Sequence, residues 1–124
     1  PPGMNFEDKY TSYSFSNGIL FAKVKQEMTE EGVDNCITYL TQVHSENEKI
    51  RMLIDPTASA KLSKNLRSRV SHEFGEYVKA LAVIDSSPLI PLIHKLMTVV
   101  DMPPFPIRIF RSPNEALKWL RSQP

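Results

Sequence analysis

The sequence offers three hydroxyl side chains in one short loop-like stretch. Thr57, Ser59 and Ser63 lie in a small, polar stretch over residues 57–64, just ahead of a segment with helical periodicity. A phosphate there adds nearly two negative charges beside a helix N-terminus, and Lys61, Lys64 or Arg67 could answer it. The commoner role of a serine at that place is to cap the helix. Ser86-Ser87-Pro88 offers a second start of the same kind, able to cradle an anion with free backbone N–H groups or simply to begin a helix.

The other reactive side chains are scattered. His44, His72 and His94 fall on three different helical segments, none with a second histidine or cysteine three or four residues on, so no metal site is expected. Glu73 and Glu76 beside His72 read as a solvated helix face. Cys36 sits on an apolar stripe and reads as a buried, inert thiol; being alone, it forms no internal disulfide. Four glycines leave little material for a phosphate loop or a nucleophile elbow, and neither motif is present. No catalytic residue and no cofactor is expected, and the protein reads as a non-enzyme.

The totals set the frame. At 124 residues the chain suits a single core, taken here as one domain over residues 10–123 after a tail over 1–9, with Pro1-Pro2-Gly3 read as a cloning remnant. Fifteen basic residues against 14 acidic ones argue against a nucleic-acid partner. No apolar run reaches the roughly 18 residues of a membrane span; the greasiest stretch, 88–100, is interrupted by Pro91, His94, Lys95 and Thr98. The opening twenty residues are polar and aromatic rather than leader-like, so a cytoplasmic location is expected.

The elements that position these groups follow from periodicity. Thr11, Tyr13 and Phe15 alternate with Ser12, Ser14 and Ser16, placing large side chains on one strand face and hydroxyls on the other. Asn17-Gly18 then turns the chain into residues 19–25, where Leu20, Ala22 and Val24 share a face: a hairpin. Thr29, Glu30 and Glu31 begin a helix that carries Val33, Cys36, Leu40 and Val43. Residues 50–54, closed by Asp55-Pro56, read as an interior strand. Leu66, Val70, Phe74 and Tyr77 or Val78 mark a second helix, and residues 80–84 a further strand. A third helix over 88–100 precedes a strand at 107–111. Ser112-Pro113-Asn114-Glu115 reads as a capping box opening the last helix. The predicted order is ββαβαβαβα, an α/β fold with a mixed sheet of about five strands, parallel after the hairpin, and four helices.

The third helix is the oddity. Leu89, Ile90, Ile93 and Met97, with Met102 and Phe105 beyond it, offer more apolar surface than one side of a sheet covers. Together with Arg67 they are the candidate partner or ligand face, against the plainer alternative of extra core packing on helix two. Trp119 reads as packing.

The element order resembles that of STAS (anti-sigma-factor-antagonist-like) domains and the related lipid-binding SEC14 fold. The likeness runs from about Tyr10 to Gln123 and is carried by Arg69, Ala80-Leu81-Ala82-Val83, Asp85-Ser86-Ser87-Pro88, Pro103-Pro104, Pro106-Ile107-Arg108-Ile109-Phe110 and Glu115-Ala116-Leu117-Lys118-Trp119-Leu120. The terminal strand and helix are similar to those of an uncharacterised bacterial STAS-like group. The resemblance implies a phosphorylatable serine, within an Asp-Ser motif, in the loop at 57–64. That loop lacks the motif, so position alone points to Ser63, with Thr57 and Ser59 as neighbours; Asp85-Ser86-Ser87 falls one loop too late. It further implies a non-enzymatic protein-interaction or regulatory module with a protein partner or homodimer. The SEC14 kinship implies the alternative, a small carrier or sensor of an apolar, lipid-like molecule.

Overall fold

In the computed structural model, which describes residues 4–44, 48–56, 63–84 and 104–124, six strands form one sheet whose spatial order is the chain order. They are β1 (Met4–Glu7), β2 (Thr11–Ser16), β3 (Ile19–Val24), β4 (Ile50–Asp55), β5 (Val78–Ile84) and β6 (Ile107–Phe110). β1, β2 and β3 pair antiparallel, and β3 to β6 run parallel. Helix α1 (Glu30–Val43) joins β3 to β4, α2 (Lys64–Glu73) lies between β4 and β5, and α3 (Pro113–Ser122) follows β6. The mixed α/β sheet is the one expected, with one strand more; the helix expected over 88–100 lies outside the described residues.

The β2–β3 turn forms as its sequence requires. Asn17 (φ 54°) and Gly18 (φ 77°) both adopt left-handed backbone, the pattern of a primed hairpin turn that matches strand twist. Ser16 then opposes Ile19, and the large side chains of β2 enter the core while Ser14 stays exposed. The added strand, β1, comes from residues expected as tail. Four residues are too short to show a period by themselves. β1 is held by pairing with β2, by Phe6 stacked on Tyr39 of α1 (centroids 4.7 Å apart), and by Asp8, whose Oδ1 accepts from the backbone N–H of Tyr10 (2.7 Å) and Thr11 (2.8 Å).

Two cores flank the sheet. On the first face α1 and α2 pack over Leu20, Met52, Val78 and Leu81, with Leu40, Cys36 and Leu66 supplied by the helices. On the second, Ala116 and Leu120 of α3 pack on Ile19, Leu53, Ala80 and Ala82. Fully burying a leucine such as Leu20, Leu40 or Leu120 stabilises by about 1.5–3 kcal/mol.

Caps decide where the helices begin. The Thr29 hydroxyl accepts from Gly32 N (3.2 Å), and Ser63 Oγ accepts from Leu66 N (3.2 Å). At α3 the capping box is not made. Pro113 takes the first turn as expected, but the Ser112 hydroxyl makes no cap bond, and the turn closes through Ala116 N to the Ser112 carbonyl (3.2 Å). The boundary after α2 also differs. The helix tightens into a 3-10 turn (Phe74–Glu76), and Val78 opens β5 instead of continuing the helical stripe, because it is buried within the sheet.

Candidate functional site: an open groove on the second sheet face

Strand alternation puts Ser12 and Ser14 of β2, Phe21 and Lys23 of β3, and Leu53 and Asp55 of β4 on the second face, opposite α1 and α2. Register then lines them up. Glu7, Ser12, Lys23 and Asp55 are successive cross-strand partners, one polar row over four strands; Asn5, Ser14, Phe21 and Leu53 form the adjoining row. Helix α3 packs on β4, β5 and β6. The remainder of that face forms an open groove of about 880 Å³ that ends against Pro113, with Leu53 and Ile84 buried and Phe21 half-buried in its wall.

The groove reaches the carboxyl ends of β3, β4 and β5. Its polar groups differ in availability. Glu7 is bound by Lys25 Nζ (2.7 Å) and Ser12 Oγ (3.2 Å), and these bonds, Lys25 first, hold its carboxyl below the usual carboxylate range. Lys23 and Asp55, adjacent in register, form no salt bridge among the described residues. The groove therefore combines an apolar floor with a cation, an anion and hydroxyls along one side.

Of the residues singled out from sequence, those that the structure describes do not line the groove. Ser63 is an exposed N-cap at the start of α2, and Arg67 lies on α2. Thr57, Ser59, Leu89, Ile90, Ile93, Met97 and Met102 lie outside the described residues. Phe105, expected on a partner or ligand face, is 6% exposed and belongs to the first core together with Leu66, Phe74 and Leu81. Burial in a dry environment pushes the Cys36 thiol up to about 12. Burial likewise raises the Tyr13 phenol beside it. Glu73 turns from the solvated face to Arg69, which joins α2 to α1: its guanidinium meets Glu73 (2.6 Å), Asp34 (2.7 Å) and Glu30 (2.8 Å). The Arg69 bond keeps the Glu73 carboxyl low, and Arg69 is raised in return, chiefly by Glu73. Trp119 packs on Phe110 (5.7 Å). Among the described residues, no three His, Cys, Asp or Glu side chains gather in a metal-holding arrangement, and no helix is long and apolar enough to cross a membrane.

Phe21, Lys23, Asp55 and Ile84 had no motif to announce them. The serine alternation of β2 marks the second face, but only the inter-strand register brings the row together.

Fold and groove together define a mixed α/β sheet domain with a ligand-sized cleft that reaches the carboxyl ends of its parallel strands. The chain matches the family model of DUF7793, a domain of unknown function, over residues 13–123, and belongs to that family. No curated protein matches it.

Proposed function

We propose that this protein is a non-enzymatic binding module of STAS-like type that carries or senses a small amphipathic molecule, as the SEC14 kinship implies. The observation that supports this reading is the groove: its volume lies within the roughly 300–1,000 Å³ range of small-molecule sites. Its apolar floor of Phe21, Leu53 and Ile84 runs beside the polar row of Ser12, Lys23 and Asp55. Such a cleft suits a molecule with an apolar body and a polar head.

Native mass spectrometry of gently purified protein, followed by titration with a fluorescent fatty acid, tests the reading. Extra bound mass or saturable fluorescence, lost in Phe21→Asp, is the expected result. A chain that binds neither, or binds equally well after Phe21→Asp, overturns it. The protein-interaction role has one observation of its own, the exposed Ser63 at the head of α2. It is checked by mass spectrometry for phosphate on Ser63.

A further inference from the structure

Charge is unevenly spread along the sheet. Residues 4–44 hold six acidic side chains (Glu7, Asp8, Glu27, Glu30, Glu31, Asp34) against three lysines, a net of −3. Residues 104–124 hold Arg108, Arg111, Lys118 and Arg121 against Glu115 alone, a net of +3. Because strand order is chain order, these halves sit at opposite ends of the sheet. Arg108, Arg111, Lys118 and Arg121 are exposed and take part in no ion pair among the described residues, whereas the acidic end is threaded with pairs to Lys9, Lys25 and Arg69.

That basic end is also a strand edge. Leu81 N donates to the Pro106 carbonyl (3.0 Å), so residues 106, 108 and 110 turn their backbone groups toward β5. Ile107 and Ile109, between them, turn theirs outward from what is, among the described residues, the last strand of the sheet. Arg108 and Phe110 share the face covered by α3, with the guanidinium 5.7 Å from the ring centroid and Trp119 packed beyond.

We infer that β6 is a docking edge for an extended acidic peptide segment of a partner protein, added as a seventh strand with its acids against Arg108 and Arg111. The outward N–H and C=O groups of Ile107 and Ile109 match another peptide backbone, which a nucleic acid cannot supply. A second copy pairing through the same edge sets Arg108 and Arg111 of both chains near one another, a like-charge clash. The β1 edge of a second copy is a poor substitute, since its one acid, Glu7, is already bound by Lys25. This surface is separate from the groove.

The test is a titration of isotope-labelled protein with three probes: an octapeptide of alternating Val and Glu, its Val and Lys counterpart, and a single-stranded DNA dodecamer. The acidic peptide is expected to shift the Ile107 and Ile109 amides and slow their hydrogen exchange, with Arg108→Glu/Arg111→Glu weakening binding at least tenfold. Ile109→Pro removes the outward donor at 109 together with the packing of the Ile109 side chain on the first core, and is expected to abolish the protection of the Ile107 amide while β5–β6 pairing persists. If it fails to fold, the exposed double charge reversal still decides. Equal response to the Val and Lys peptide, shifts confined to other strands, binding of the DNA alone, or oligomers growing with concentration through β6 would each overturn the inference.

Discussion

Arg51 of β4 donates from Nε to the Leu120 carbonyl at 2.6 Å, and its Nη2 reaches the Gln123 carbonyl, so a strand residue closes the C-terminal end of α3. The last carbonyls of a helix lack intrahelical donors and carry the negative end of its dipole, which a planar, forked cation answers twice. Arg51→Met is expected to cost about 2 kcal/mol, read as a lowered denaturation midpoint with fraying of residues 120–123 in hydrogen exchange. Arg51→Lys recovers less than half, since one ammonium does not span both carbonyls. A full recovery by lysine removes the fork from the explanation.

The Arg69 cluster makes the α1–α2 contact acid-sensitive. The Glu73 carboxyl is depressed in the folded protein, so its contribution is complete above the ordinary glutamate range and is lost as pH falls through the folded value. Its partners are largely exposed (60% for Glu30 and 64% for Asp34), so Arg69→Met is expected to cost only about 1 kcal/mol at neutral pH. The cost should shrink as pH drops below about 4, in chemical denaturation at several pH values. A penalty that does not change with pH would assign the effect to packing alone.

Cys36 is 3% exposed with its thiol pushed up to about 12. Native protein at pH 8 is therefore expected to resist iodoacetamide for as long as it stays folded, and to take up one equivalent on unfolding, by intact mass. Labelling that outruns global unfolding would show a local opening of α1.

Thr11 Oγ1 is buried without a hydrogen-bond partner among the described residues. Removing an unsatisfied hydroxyl while keeping its shape costs little, so Thr11→Val should be neutral or stabilise by up to about 1 kcal/mol. Thermal unfolding decides, and a clear loss of stability would mean that the hydroxyl is bonded in solution, for instance to a buried water.

Gly75 packs its backbone on Pro104: an added Cβ would stand 2.5 Å from Pro104 Cγ and 3.2 Å from Cδ. A proline ring cannot swing aside as a methionine tail can. Gly75→Ala is expected to destabilise by about 1–3 kcal/mol, while Gly75→Ala with Pro104→Ala recovers part of the loss in a double-mutant cycle.

Local chemistry was legible in the residues themselves. Asn17-Gly18 specifies a primed turn because few other pairs accept positive φ twice, and Thr29 with Glu30 and Glu31 specifies a helix start because free N–H groups need acceptors. The serine alternation of β2 likewise fixes which face of the hairpin enters the core. These are interactions between residues a few positions apart, and the chain order records them directly. Tertiary structure alone decided the rest. It recruited Met4–Glu7 as a strand through Phe6 on Tyr39 and placed Phe105 in the core. It also aligned Ser12, Lys23 and Asp55 in one row and sent Arg51 to the end of α3. Each of these joins residues far apart in the chain, and register, which carries no signature in a single strand, is set by how whole faces pack.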